Sequence, residues 1–155
     1  MTICFDLADE QATNDLASAV SNCLVAPLTL SFQGDLGTGK TTLIRAMLRA
    51  QGIKGLIKSP TFSWVESYTL QNYVIHHFDL YRLSDDLTLD AFGFRDYFSP
   101  DAVCCIEWAE RAPSLKPYLD VVFSLEMNGD GRRLSVSALR APGRHLLDAL
   151  RRIRA

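Results

Sequence analysis

The residues best suited to chemistry lie in the stretch Gly34-Asp35-Leu36-Gly37-Thr38-Gly39-Lys40-Thr41-Thr42. Gly34, Gly39, Lys40 and Thr41 meet the spacing G-x-x-x-x-G-K-T in full, the spacing of a phosphate-binding loop. Glycines let the main chain curl so that several N–H groups converge on phosphate oxygens. The N-terminus of a following helix adds partial positive charge. Gly37, Thr38, Gly39, Lys40, Thr41 and Thr42 are therefore the candidate nucleotide-binding set. Lys40 is expected to reach the β- and γ-phosphates, and the Thr41 hydroxyl to ligate Mg²⁺.

Such a loop also needs a carboxylate at the end of a neighbouring strand, to hold Mg²⁺ directly or through water. Two apolar runs end in one: Val103-Cys104-Cys105-Ile106-Glu107 and Val74-Ile75-His76-His77-Phe78-Asp79. The continuous run before Glu107 suits a strand buried on both faces, which makes Glu107 the better metal acid. Asp79 reads either as a metal or water ligand or as a structural partner of nearby backbone or Arg82. Thr61, in Ser59-Pro60-Thr61-Phe62, has two readings. It sits in a switch-like loop that senses the γ-phosphate, or it bonds its own backbone. Trp108 follows Glu107 and is either a core aromatic or a reporter and lid at the site. His76 and His77, mid-strand, read as packed or surface imidazoles. No lysine among Lys40, Lys54, Lys58 and Lys116 has Asp two positions on. The guanine-reading N/T-K-x-D pattern is therefore missing, and ATP is favoured.

The elements that must position these groups are legible from periodicity. Leu28 to Gln33 alternates as a strand into the loop, and Leu43, Ile44, Met47 and Leu48 repeat at helical spacing after it. Residues 2–7 form a weak edge strand. A helix follows over 10–25, capped by Asp9 or Thr13. Phe62, Trp64 and the residues beyond look like strand, and Gln71-Asn72 turns them into a second, antiparallel one. Residues 86–98 are helical in spacing but interrupted by Gly93. Val121 to Glu126 and Arg133 to Leu139 form a hairpin across Asn128-Gly129-Asp130-Gly131, and 142–153 is an amphipathic helix. One α/β domain over 1–155 accounts for the pattern.

With 155 residues, 48% hydrophobic and 22% charged, the chain is composed like an ordinary soluble globular protein. A net charge of −2 predicts no general affinity for nucleic acid or membrane. No apolar run approaches a membrane span, and no basic leader precedes the first residues, so a cytoplasmic location is expected. Cys4, Cys23, Cys104 and Cys105 make no metal-binding spacing and read as small buried thiols. Residues 131–155 hold seven arginines against Asp148 alone. That end is either a solvated helix or a docking surface for RNA or an acidic partner.

Four motifs stand in one order: the loop from Gly34 to Thr42, Ser59-Pro60-Thr61-Phe62, His77-Phe78-Asp79-Leu80-Tyr81-Arg82-Leu83 and Ile106-Glu107-Trp108-Ala109-Glu110-Arg111. Together they resemble the TsaE (YjeE) family, the bacterial ATPases of tRNA threonylcarbamoyladenosine biosynthesis. The resemblance implies a three-layer P-loop NTPase-type fold with a mixed, mostly parallel sheet. It also implies a weak ATPase working with TsaD and TsaB, with tRNA as an indirect partner or one touched through the C-terminal arginines. On this reading Thr41 and Glu107 hold Mg²⁺, Lys40, Asp79 and Glu107 are catalytic, and Thr61 belongs to a switch-like loop. Glu10 and Arg132 flank the adenine. Thr38 stands where the family more often has Ala, with its N–H still available. The rivals are a small-molecule phosphotransferase and a nucleotide-gated binding module with incidental hydrolysis.

Overall fold

The computed structural model describes residues 1–60 and 63–154. In chain order the elements are β1 (Thr2–Leu7), α1 (Glu10–Cys23), β2 (Leu28–Gln33), α2 (Lys40–Ala50), β3 (Val65–Thr69), β4 (Val74–Asp79), α3 (Asp86–Phe92), β5 (Ala102–Glu107), β6 (Val121–Asn128), β7 (Gly131–Ala138) and α4 (Ala141–Arg154). Short 3-10 turns lie at Phe94–Tyr97, Ala109–Arg111 and Pro113–Tyr118.

The strands form one sheet in the order β1-β7-β6-β2-β5-β4-β3. β6, β2, β5 and β4 pair in parallel, while β3, β7 and β1 join antiparallel to β4, β6 and β7. β1, β6, β2, β5 and β4 thus all run the same way, a mixed sheet dominated by one direction. The hydrophobic run of β5 places it inside the sheet, and its side chains alternate between two cores. Val103 and Cys105 join one, Ala102, Cys104 and Ile106 the other. The adjacent thiols therefore face opposite ways, and burial pushes that of Cys104 up to about 12. Among the described residues the cysteines form no disulfide, and Cys4 and Cys23 are only half-buried.

The larger core lies beneath α1, α2 and α4, through Leu16, Val20, Leu43, Ile44, Met47, Leu146 and Leu150. The second lies beneath α3 and the 3-10 turns, through Leu89, Phe94 and Leu115 against Phe78 and Ile106. This third layer covers only the β4 and β5 side. On β1, β7 and β6 the same sheet face carries exposed Thr2, Asp6, Arg133 and Glu126, so polar residues occupy the positions a helix would otherwise cover.

Local signals explain most boundaries. Asp9 caps α1 by accepting from Ala12 N at 2.9 Å. Leu70 N donates to Tyr73 O at 2.9 Å and closes the β3–β4 hairpin. One expectation changes. Trp64 has φ 65°, outside the extended region, so β3 begins only at Val65. The helical spacing over 86–98 is interrupted at Gly93 as expected, where a φ of 81° ends α3 and starts a 3-10 turn. No helix among the described residues is long and apolar enough to cross a membrane.

Candidate functional site

The loop between β2 and α2 owes its shape to close approach. Gly34 has φ 144°, and a Cβ there would stand 2.5 Å from Leu125 O and 2.6 Å from Thr38 Oγ1. No other residue fits without displacing main chain. Thr38 is buried, and its Oγ1 donates to Asp35 O at 2.8 Å. Its N–H, expected to remain available, also donates to Asp35 O, at 3.3 Å. The threonine at this position thus closes the loop upon itself.

Lys40 is 5% exposed. Its ammonium donates to Gly34 O and, at 3.1 Å, to Asp35 O, and lies 4.3 Å from the Trp108 ring centroid. Trp108 is half-buried in the left-handed region, φ 61°. Its ring packs against Tyr81, centroids 5.0 Å apart, with the Arg111 guanidinium 5.7 Å from it. The tryptophan also packs against the second core, so it touches both the core and the loop lysine.

The two carboxylates meet because β4 and β5 pair with Asp79 opposite Glu107. Both are buried. Thr41 Oγ1, in the first turn of α2, donates to Glu107 Oε1 at 2.7 Å. Asp79 Oδ1 accepts from Tyr81 N at 3.0 Å. The other Glu107 oxygen, Oε2, lies 2.7 Å from His77 Nε2. His77, read from the sequence as a packed imidazole, is packed but also bonded to the acid. Its position two residues before Asp79, on the same strand face, was the available signal, and it became meaningful only once β4 lay beside β5.

Arg132, near the start of β7, reaches across to the loop. Its Nε donates to Thr38 O at 2.9 Å and its Nη2 to Gly37 O at 3.5 Å. It walls two cavities together with Gly39 and Thr42. One, about 440 Å³, is lined by Lys40, Thr41, Asp79, Arg82, Glu107 and Trp108. The other, about 270 Å³, is lined by Leu7, Glu10, Thr13, Leu43, Leu125 and Gly131. Gly37, Gly39, Lys40, Thr41 and Thr42 share the first cavity with the acids and Trp108, whereas Thr38 lines the second with Glu10 and Arg132. Ser59 and Pro60 line neither, and Thr61 and Phe62 of the expected switch-like loop lie outside the described residues.

The arrangement offers an amide-rich loop, a buried lysine and paired acids at one mouth, with a smaller, partly apolar recess beside it. The model of the family "Threonylcarbamoyl adenosine biosynthesis protein TsaE" matches residues 7–134. The tRNA threonylcarbamoyladenosine biosynthesis protein TsaE of Haemophilus influenzae is 42% identical over 116 residues, 75% of this chain and 73% of that protein. The protein of the same name from Nostoc is 34% identical over 131 residues, covering 82% and 80%. The crystal structure of Bacillus subtilis YdiB aligns with a TM-score of 0.82 over 100% of this chain and 97% of that one. At 21% identity that likeness speaks to the fold.

Proposed function

The chain belongs to the TsaE family of tRNA threonylcarbamoyladenosine biosynthesis proteins, and from that premise we propose that it is a P-loop ATPase. It binds ATP·Mg²⁺, hydrolyses it slowly, and so drives turnover of a TsaB–TsaD complex that forms threonylcarbamoyladenosine at position 37 of tRNA. The observation that carries this reading is the Thr41–Glu107 bond of 2.7 Å beside the loop. A threonine that gives its proton to a buried carboxylate turns its lone pairs to the cleft, where a hard cation needs oxygen.

Lys40 and the loop amides would stabilise charge developing on the γ-phosphoryl group. To do so Lys40 must leave Gly34 O and Asp35 O. Thr41 and Glu107 would hold Mg²⁺, which when bound neutralises charge on the β- and γ-oxygens. Asp79, next to Glu107 in register, would orient the attacking water. The smaller cavity, between Glu10 and Arg132, suits the adenine in size and position. Slow turnover by the isolated chain follows if the docked partner complex completes or orders the site. On this reading the chain works in the cytoplasm.

The test is ATP turnover with and without TsaB–TsaD. A rate that rises with the complex supports coupling, and equal rates remove it. Lys40→Ala should lose nucleotide binding or hydrolysis. A Glu107→Gln variant that binds ATP, fails to hydrolyse it and still supports repeated rounds of tRNA modification would favour the nucleotide-gated module instead. Direct tRNA contact would run through exposed Arg144, Arg151 and Arg152 of α4, and salt-dependent binding by the isolated chain would reveal it.

A further inference from the structure

We infer that His77 is the positioning residue of the metal acid: its Nε2 fixes one oxygen of Glu107 so that the other is presented to Thr41 and the cation. The inference rests on the ATP·Mg²⁺ reading above and adds a role to a residue which that reading leaves idle.

A glutamate's last torsion is broad and roughly two-fold, so a carboxylate on a strand end has no fixed plane of its own. Here both oxygens are engaged. Oε1 accepts from Thr41 Oγ1 at 2.7 Å, and Oε2 meets His77 Nε2 at 2.7 Å. The two anchors differ in kind. Thr41 lies in the first turn of α2 and belongs to the phosphate loop, so its hydroxyl is shared between Glu107 and the cation. His77 sits mid-strand on β4, which is paired on both sides by β3 and β5, and it is 1% exposed. It is the anchor that the cation does not share. With Oε2 held, Oε1 keeps its direction while the Thr41 oxygen turns to the metal.

Packing alone does not account for an imidazole at this place. Its Nδ1 is buried with no hydrogen-bond partner among the described residues. A buried polar atom left unpaired is unfavourable, whereas an apolar side chain of similar size would carry no such cost. What the imidazole supplies that Leu or Phe would not is a donor aimed at Glu107. Hydrogen-bond partners of this kind around metal ligands commonly set both orientation and affinity.

The experiment compares the intact chain with His77→Gln and His77→Asn. A glutamine amide nitrogen falls near the Nε2 position and keeps the donor to Glu107. An asparagine amide falls near Nδ1 and does not reach. Both put an amide in the same buried site, so a merely structural cost falls on both. Calorimetry would measure binding of a non-hydrolysable ATP analogue with Mg²⁺ and with EDTA. Expected is a gain in affinity on adding Mg²⁺ that His77→Gln keeps within about threefold and His77→Asn loses by about tenfold to a hundredfold, with EDTA affinities alike in all three. Equal magnesium gains in His77→Gln and His77→Asn would overturn the assignment. If the original chain takes up no nucleotide, the ATPase reading fails first and this one with it. A readout free of variants is the imidazole ¹⁵N resonance of His77, one of three histidines. It should move when Mg²⁺ is added to the nucleotide complex, and a static signal overturns the role even where His77→Asn does not fold.

Discussion

Lys40 and Trp108 form a cation–aromatic pair, Nζ 4.3 Å from the ring centroid, at the mouth of the loop that the lysine closes. The same ammonium bonds Gly34 O and Asp35 O. The charge proposed to meet phosphate is thus held by two carbonyl dipoles and a ring face. The ring contact contributes on the order of 0.5–2 kcal/mol, which a bound triphosphate would have to replace.

The first prediction follows from that pair. Nucleotide binding should draw Nζ off the ring and change the emission of Trp108. The chain has two tryptophans, so the measurement belongs in a Trp64→Phe background. A saturable change in intensity is expected there, and none in Trp108→Phe. Unchanged emission at saturating nucleotide would mean that Lys40 stays on the loop.

The loop and its acids were legible in the sequence for different reasons. Gly34 to Thr42 is a local device whose chemistry follows from spacing. Glu107 and Asp79 were legible because each ends an apolar run. The His77–Glu107 bond was not, because it depends on β4 lying beside β5, a tertiary fact that no periodicity encodes. The link from Arg132 to Thr38, 94 residues away, was hidden for the same reason. Trp64 was misread as strand because an aromatic-rich run imitates one, although its φ is 65°. The partial third layer, by contrast, is written in Arg133-Leu134-Ser135-Val136-Ser137, whose alternation marks a face without a helix above it.

Gly34→Ala should be among the most damaging single substitutions. Its Cβ would meet Leu125 O at 2.5 Å, and that oxygen belongs to β6, which cannot move cheaply. Overpacking and an unfavourable φ together predict a loss of about 2–5 kcal/mol. Urea unfolding measures it, and a loss below about 1 kcal/mol would show that the loop yields.

Thr41→Val keeps the shape of the side chain and removes the hydroxyl. Glu107 Oε1, in a residue 2% exposed, then loses the Thr41 donor, at a cost of about 1–3 kcal/mol. Magnesium should no longer raise nucleotide affinity, whereas Thr41→Ser should retain most of the effect. Comparing the two by urea unfolding and by calorimetry separates the lost bond from the lost ligand. Equal magnesium gains in Thr41→Val and Thr41→Ser would remove Thr41 from the metal site.

The last prediction concerns the far end of the parallel strands. Asp120 is 6% exposed. Its Oδ2 accepts from Thr29 N at 2.8 Å, and its Oδ1 is 3.7 Å from Arg140 Nε. Burial raises its pKa, while the Thr29 N–H and then the Arg140 charge pull it down by less. A raised folded-state value means that the native chain holds this proton more tightly than the unfolded chain does. The resulting stability is fully present below the ordinary aspartate value, ~4, and is lost as pH rises through the raised one. The difference in unfolding free energy between the original chain and Asp120→Asn should therefore shift toward the variant as pH goes from about 3 to about 7. Arg140 restrains the size of the shift, so Arg140→Gln should enlarge it in the original background. Urea unfolding at a series of pH values reads both. A difference that stays flat or moves toward the original chain would mean that the bonds from Thr29 and Arg140 outweigh the loss of hydration.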